Sequence, residues 1–183
     1  MDPVNGTRLN LALTPYAGKG DESLLFAIST ATGSAYYAVD SEQRFVPAGR
    51  VKIGTIVGEE TESVPANKRF YAGGGGSIRG FEFQSVGPLD TENDPLGGRS
   101  ILELSGEVRI RVTERIGVVP FVDGGTVSDS SYPDFDEPIR WAAGLGGRYF
   151  SDFGPLRLDI AVPLNKRDID DRFQFYISLG QAF

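Results

Sequence analysis

The 183-residue chain contains no cysteine and no histidine, and it has only one methionine and one tryptophan. Without cysteine there are no disulfides and no thiolate nucleophile, and without both residues the commonest zinc and transition-metal ligands are missing. Carboxylate-only calcium or magnesium sites stay open, but nothing in the sequence marks one. Because Ser/His/Asp and Cys/His arrangements are also impossible, the sequence predicts no enzyme, no metal centre and no cofactor.

Positive charge and long apolar runs are scarce as well. The formal net charge is −7, whereas binding a polyanion requires clustered Lys and Arg in excess, so nucleic acid is not an expected partner. No apolar stretch approaches the roughly 18 residues of a membrane-spanning helix, and residues 1–6 lack a signal-peptide pattern. Hydropathy alone would indicate a soluble protein. That inference fails for β-barrels, whose strands alternate apolar and polar residues and are only weakly hydrophobic on average.

The chain is instead rich in glycine and aromatic residues, with 24 Gly, 12 Phe and 7 Tyr. This composition favours short strands and tight turns. Period-two alternation is clear in residues 100–112, where aliphatic residues oppose Glu103, Glu107 and Arg109. Gly33 is expected to mark a bulge. The alternation predicts eight strands, at residues 7–16, 24–39, 45–57, 100–112, 116–125, 139–150, 156–164 and 172–183.

The connections between these strands alternate in length over the second half of the chain. The turns at 113–115 and 151–155 are tight. The connections at 58–99, 128–137 and 165–171 are longer and rich in Gly, Pro, Asp and Asn. Outer-membrane β-barrels have this asymmetry, with short periplasmic turns and longer extracellular loops. A water-soluble β-sandwich or barrel would also alternate, but the second face carries both charge signs and glycine, which is typical of a wide aqueous lumen.

The long connection at 58–99 contains the glycine-rich run Gly73–Gly76 within a segment of Phe, Tyr and Ile residues. Connections of this length are usually functional or disordered, and the buried-type side chains disfavour disorder. A phosphate-binding loop is also disfavoured, because no Gly-Lys-Ser/Thr follows and no helical periodicity succeeds it. A Rossmann fingerprint fails because the chain has no βαβ alternation.

Residues 69–81 resemble the sixth extracellular loop of the BamA/TamA outer-membrane assembly superfamily, the bacterial surface antigen barrels. The hallmark Val/Ile-Arg-Gly-Phe/Tyr tetrapeptide of that family is represented by Ile78-Arg79-Gly80-Phe81. Residues 121–125 are similar to its Phe-x-Asp-x-Gly strand motif, and residues 144–149 and 154–164 are similar to its next two strands. The closing residues 173–180 resemble the last strand of TamA in particular.

The resemblance is strong over 69–183 and weak upstream. It implies that residues 1–183 form the C-terminal half of a sixteen-stranded barrel, with three strands before an inward-folding loop at 58–99 and five after it. The N-terminal strands and the periplasmic POTRA domains of that family would then be absent. Two open edges in lipid leave unsatisfied backbone groups, so we expect the chain to be part of a longer protein or to pair with another chain.

The resemblance also implies a function in the outer membrane of a Gram-negative bacterium. The chain would help fold and insert β-barrel or autotransporter clients. Its partners would be outer-membrane lipid, unfolded clients, the missing N-terminal half of the barrel and an inner-membrane-anchored protein that spans the periplasm. Two alternatives stay open, a passive outer-membrane channel and a small structural eight-stranded barrel.

In that family the arginine of the tetrapeptide folds into the barrel and pairs with the inward aspartate of the strand motif. Carried over, Arg79 pairs with Asp123, which the alternation independently directs into the lumen. Gly80 permits a tight turn and Phe81 is expected to wedge against Phe121. The predicted loop lock therefore comprises Ile78, Arg79, Gly80, Phe81, Phe121, Asp123 and Gly125. The alternative is that Arg79 is a solvated loop charge.

Two further features complete the expectations. The family's gate lies between the last strand and the first, so residues 172–183 would form one side of it. The predicted gate residues are Phe173, Phe175, Ile177, Leu179, Gly180 and Phe183. Glu103 and Glu107 resemble an acid and base pair, but they lie along one lumen wall among arginines, which favours an electrostatic role.

Overall fold

A computed structural model describes residues 3–19, 23–134, 138–152, 154–180 and 182–183. Within these ranges the regular secondary structure consists of β-strands, apart from a short 3-10 helix at Ala66–Lys68. No helix in the described part is long and apolar enough to cross a membrane. The strands are β1 Gly6–Lys19, β2 Ser23–Tyr36, β3 Phe45–Val57, β4 Ser100–Arg111, β5 Ile116–Ser128, β6 Arg140–Ser151, β7 Gly154–Pro163 and β8 Gln174–Leu179.

All eight strands belong to one antiparallel sheet in which spatial order follows chain order from β1 to β8. The register continues across the long connection, where β3 pairs with β4 and Lys52 lies opposite Glu103. The expected bulge at Gly33 is wrong. Gly33 lies opposite Leu9 in β1 and Val51 in β3, and the pairing continues without an extra residue on either side.

The last strand is shorter than expected, since β8 covers Gln174–Leu179 instead of 172–183. The physical reason lies at Gly180, whose φ of +92° turns the chain out of extended backbone. Its N–H donates to the carbonyl of Pro155, next to the first residue of β7, so the pairing of β8 with β7 ends there.

The two faces of the sheet are reversed relative to a soluble protein. Large apolar side chains are exposed on the outer face, with Leu11 at 71% and Ile177 at 67% of full exposure, while Asp123 and Asp159 on the inner face are at 0%. Water would penalise the first arrangement, whereas hydrocarbon accepts it. The outward residues include Leu9, Leu13, Ile53, Val122, Leu145, Leu158, Ile160, Phe175 and Leu179.

The apolar core lies between the long connection and the inner face of the sheet. Residues from the connection pack on β4, β5 and β6 in a cluster formed by Ala72, Ile78, Phe81, Val86, Ile101, Val127 and Ala142. A second cluster joins Val64 of the connection to Phe26 and Ile56. The connection at 58–99 therefore folds inward, and it covers the middle of the sheet rather than β1, which is exposed on both faces.

Candidate functional site

The site is built on a hairpin in the long connection, residues 70–86, which we call the loop hairpin. The N–H of Val86 donates to the carbonyl of Ala72 at 2.9 Å, and the N–H of Gly74 donates to the carbonyl of Phe81 at 3.1 Å. Gly73 and Gly74 both have positive φ, 111° and 93°, a region that favours glycine. These bonds direct the tip of the loop hairpin, Ile78–Phe81, toward the sheet.

Arg79 is the centre of the site, and its side chain is only 2% exposed. Its guanidinium makes a bidentate contact with Asp123, at 2.6 Å from Nε to Oδ2 and 3.0 Å from Nη2 to Oδ1. Its backbone N–H also donates to Asp123 Oδ2 at 3.1 Å. The predicted contact between Arg79 and Asp123 is therefore present, and the alternative of a solvated Arg79 is wrong.

Two further carboxylates surround the same guanidinium. Arg79 Nη1 donates to Asp159 Oδ2 at 3.1 Å, and Nη2 lies 3.5 Å from Glu107 Oε2. Ser105 Oγ donates to Asp123 Oδ1 at 2.5 Å, which holds that carboxylate in place. We call Arg79 with Asp123, Asp159 and Glu107 the lock. Burying so many charges is costly unless each is paired and hydrogen-bonded, and here the pairs supply that compensation.

The acidic members of the lock are also neutralised by arginines on the strands. Asp159 accepts from Arg148 Nη1 at 2.5 Å and lies 3.1 Å from Arg157 Nε, while Glu107 accepts from Arg109 Nε at 2.8 Å. No group of three or more acidic residues in the described ranges is arranged to hold a metal ion. The surplus of guanidinium groups makes this a structural ion-pair network.

Phe121 has a different role from the one expected. The Arg79 guanidinium carbon lies 3.4 Å from the centre of the Phe121 ring, in a cation–π arrangement. Phe81 packs instead in the apolar cluster with Ile78 and Ile101. The expected wedge of Phe81 on Phe121 is not formed, because the guanidinium occupies the face of that ring.

Glycines on the loop and strands make the close approach possible. Gly80 has φ +100°, and a Cβ there would lie 2.6 Å from the Cβ of Ala142. A Cβ at Gly125 would lie 2.7 Å from Ile78 Cδ1, and one at Gly144 would lie 2.3 Å from Phe121 Cζ. Gly80 and Gly125 were expected in the site from the motifs. Gly144, which makes room for the ring beneath Arg79, was not.

Tyr176 on β8 was also missed. Its hydroxyl accepts the N–H of Gly80 at 3.0 Å and donates to the carbonyl of Phe81 at 2.9 Å. Period-two alternation in residues 172–183 directs Tyr176 to the inner face, and this is the only signal in the sequence. Asp159 had the same signal from β7, and nothing in the sequence indicated that either side chain would reach the loop.

The predicted gate residues do not all lie together. Phe175, Ile177 and Leu179 are exposed on the outer face of β8. Phe173 precedes the strand and Gly180 follows it.

Phe183 lies on the inner face instead of continuing the outward series. Arg109 Nη2 donates to its carbonyl at 2.9 Å, and its ring lies 6.2 Å from that of Tyr36. The guanidinium of Arg50 lies 5.5 Å from the same ring. Alternation in residues 172–183 would place Phe183 on the same face as Phe175 and Ile177. That expectation is wrong, because the positive φ at Gly180 ends the extended backbone before it.

A sheet with an apolar outer face, a charged inner face and a loop locked into it is part of the wall of a transmembrane β-barrel. The chain belongs to the Omp85 superfamily, whose domain matches residues 1–183. This places it in the outer membrane of a Gram-negative bacterium and confirms the predicted superfamily and barrel fold class.

Two relatives are outer membrane protein assembly factors BamA. The one from Nitratidesulfovibrio vulgaris is 34% identical over 143 residues, covering 74% of this chain and 18% of that protein. The one from Neisseria meningitidis serogroup B is 26% identical over 191 residues, covering 81% of this chain and 24% of that protein. The chain thus spans about a fifth of the length of these relatives.

A solved structure supports the same fold. The crystal structure of BamA from Haemophilus ducreyi lacking POTRA domains 1-3 superposes with a TM-score of 0.76, at 24% identity, over 94% of this chain and 38% of that one. The resemblance of the last strand to TamA in particular stays a prediction.

Proposed function

We propose that this chain forms the C-terminal wall and the locked loop of a barrel that folds and inserts other β-barrels into the outer membrane. The single observation that supports this most directly is the buried bidentate contact between Arg79 and Asp123. A passive wall does not need a loop fastened to its inner face by several charged groups. The proposal includes pairing of β1 with an upstream part of the same barrel.

The mechanism runs through strand edges. In the described part of the chain β8 pairs only with β7, so its other row of N–H and C=O groups has no partner. Such an edge templates an incoming strand by β-augmentation, in which main-chain hydrogen bonds supply the affinity. Mismatch between a short apolar wall and the bilayer lowers the barrier to insertion nearby. Both effects require an edge that is held in place and still accessible.

The lock supplies the rigid support. Arg79 pairs with Glu107 on β4, Asp123 on β5 and Asp159 on β7, so one side chain fastens the loop hairpin to three strands. Removing one partner of a buried pair costs about 3–5 kcal/mol, because the other charge stays buried and uncompensated. The loop hairpin therefore acts as an internal strut that holds the inner face of the sheet.

We also propose that the chain has no enzymatic activity. Glu103 is engaged by Arg50 and Lys52, at 3.9 and 3.3 Å, and by the hydroxyl of Ser77. Glu107 is engaged by Arg109 and Arg79. Both carboxylates therefore belong to ion pairs that support the wall, and neither is left as a base. Autotransporters as clients and an inner-membrane-anchored partner stay predictions.

The proposal is tested in the complete reading frame that contains this chain, after depletion of the native copy. Arg79→Ala and Asp123→Ala are each expected to lower the level of folded client barrels severalfold, because about 3–5 kcal/mol of lock stability is lost. Folded clients are measured by their heat-modifiable migration on gels, together with the amount of the variant protein in the membrane.

Arg115→Ala is the matched control, because it removes an exposed guanidinium from the turn between β4 and β5. It is expected to leave client levels unchanged. Wild-type client levels in both lock variants would contradict the proposal. Conductance across a planar bilayer, combined with client levels that do not respond to depletion of the wild-type protein, would favour a passive channel.

A further inference from the structure

The side chain of Tyr176 joins the edge strand β8 to the loop hairpin. Its hydroxyl uses both of its hydrogen-bonding functions on the backbone of the tip, accepting from Gly80 and donating to Phe81 at 3.0 and 2.9 Å. The ring lies on Gly75, where a Cβ would come within 2.9 Å of Tyr176 Cδ1. We call this pair of hydrogen bonds the latch.

The latch is notable because β8 has few other restraints. It is six residues long and pairs only with β7, over six aligned positions from Leu156 to Ala161. Phe175, Ile177 and Leu179 point outward and are largely exposed. On the inner face, the Tyr176 hydroxyl provides the hydrogen bonds from the β8 side chains to the loop hairpin in the described part of the chain.

The two residues that the latch binds lie directly beside the lock. Gly80 follows Arg79, so a displacement of the Gly80 N–H is transmitted along one peptide unit to the guanidinium-bearing residue. The backbone at Gly80 packs closely on β6, because a Cβ there would lie only 2.6 Å from the Cβ of Ala142. The positions of β8 and of Arg79 are therefore mechanically connected through two backbone groups.

We infer that Tyr176 is a positioning residue that couples the edge of β8 to the lock. While the latch is closed, β8 stays against the loop hairpin and presents its free edge at one fixed place. When the latch opens, β8 moves relative to β7 and the loop hairpin, while the lock still holds the loop. The latch opens before the lock, because the latch consists of two neutral hydrogen bonds, whereas the lock consists of stronger, charge-assisted bidentate ones.

This inference rests on the proposed function, because the edge of β8 matters for client strands only in an assembly factor. The first variant is Tyr176→Phe in the complete reading frame, which keeps the ring on Gly75 and removes both hydrogen bonds. Amide exchange in β7 and β8 is expected to accelerate roughly tenfold, the amount expected for two lost hydrogen bonds, and that of β4 and β5 to stay the same. Folded client levels are expected to fall in this variant, because β8 no longer presents its free edge at one fixed place.

Tyr149→Phe is the matched control, since its hydroxyl belongs to a residue on the outer face that is 46% exposed. It is expected to alter neither exchange nor client levels. Unchanged exchange in β8 of Tyr176→Phe would overturn the coupling. Exchange that accelerates equally in all strands would also overturn it, because that is the result of general destabilisation.

A second experiment replaces the latch with a covalent bond between β8 and the loop hairpin. The chain has no cysteine, and a Cβ at Gly75 would lie 3.4 Å from Tyr176 Cβ, close to the roughly 3.5–4.5 Å of disulfides. The pair Gly75→Cys and Tyr176→Cys is therefore expected to cross-link on oxidation. Client assembly should fall in the oxidised protein and return after reduction to the level of Tyr176→Cys alone, whereas each single cysteine variant should be insensitive to oxidation.

The outcomes separate the inference from the proposed function. Failure of the cross-link to form would show that β8 does not lie against the loop hairpin, and normal assembly in the cross-linked protein would show that the latch need not open. Either result overturns the inference. Failure of the wild-type protein itself to support client assembly would instead contradict the proposed function, while the exchange measurement would still test the latch.

Discussion

At the scale of single residues, the site depends on the geometry of one guanidinium. Arg79 binds Asp123 with two of its donors, Asp159 with a third, and rests its flat face on the ring of Phe121. Lysine has a compact ammonium group and could neither form the fork with Asp123 nor stack on the ring in the same way. The requirement for arginine is therefore steric as well as electrostatic.

The tip of the loop hairpin sets the first prediction at this scale, Gly80→Ala. The added Cβ would lie 2.6 Å from the Cβ of Ala142, and alanine disfavours the φ of +100°. Left-handed backbone at a non-glycine residue costs about 1–3 kcal/mol before the clash is counted. We expect a lower thermal unfolding midpoint and faster protease cleavage within 58–99, both measured on the protein in lipid.

Gly76→Ala is the corresponding control, because a Cβ there meets nothing within 4 Å. It should leave the midpoint and the cleavage rate unchanged. Adding Ala142→Gly to Gly80→Ala should recover the part of the loss that comes from the clash and leave the part that comes from φ. Equal behaviour of Gly80→Ala and Gly76→Ala would contradict the packing described for the tip.

At the scale of elements, the connection between β7 and β8 also fastens the loop hairpin. Arg167 Nη2 donates to the carbonyl of Ser85 at 2.7 Å and to Asp170 Oδ1 at 2.7 Å. Asp170 thus orients the guanidinium that holds the base of the loop hairpin. Burial raises the pKa of Asp170, but hydrogen bonds from Arg167 outweigh it, so the pKa lies below its ordinary value of 3.8.

This shift predicts a pH dependence for the loop. Because the folded-state pKa of Asp170 is lowered, its contribution is fully present above the unfolded value of 3.8 and is lost as the pH falls through the lower folded value. Protease cleavage within 58–99 should therefore accelerate only below about pH 4. Pepsin provides the measurement in acid, and a protease that is active at neutral pH provides the reference rate.

Asp170→Asn gives the comparison, since it removes the titrating group and nearly keeps its size. This variant should be cleaved faster than the wild type at neutral pH. Its cleavage rate should rise less on acidification. An identical acid profile in both proteins would assign the change to other carboxylates and contradict the role of Asp170.

At the scale of the whole molecule, the sheet has two edges. In the described residues β1 pairs only with β2 and β8 only with β7. The inner side chains of β1 are exposed along with the outer ones. An open edge in hydrocarbon leaves backbone donors and acceptors unpaired, at a cost of several kcal/mol for each group. The open sheet favours a larger barrel over a closed barrel of eight strands.

This yields a prediction for residues 1–183 produced alone and refolded in detergent. We expect oligomers that pair through β1 and β8, seen as a mass of two or more chains by light scattering. Addition of the upstream part of the barrel, expressed separately, should replace them by a one-to-one complex. A stable monomer with every strand amide protected from exchange would indicate a closed eight-stranded barrel and contradict the open sheet.

The sequence by itself determined the strands and their faces. Alternation is a local consequence of the pleat, so Asp123 could be directed inward and Leu158 outward without knowledge of any neighbour. The tetrapeptide Ile78–Phe81 identified Arg79 by resemblance, and the two features together predicted the contact between Arg79 and Asp123. Alternation predicts neither the end of β8 nor the regular pairing at Gly33, because both depend on hydrogen bonds to adjacent strands.

Only the tertiary structure decided which inward residues meet. Asp159 and Tyr176 lie 80 and 96 positions from Arg79 and Gly80, and they reach the tip of the loop hairpin because the register aligns β7 and β8 beside it. The ring of Phe121 contacts the guanidinium of Arg79 and not the side chain of Phe81, because Gly144 leaves space for the Phe121 ring. A period of two assigns a side chain to a face, but its partners on that face are set by how separate strands and the loop pack together.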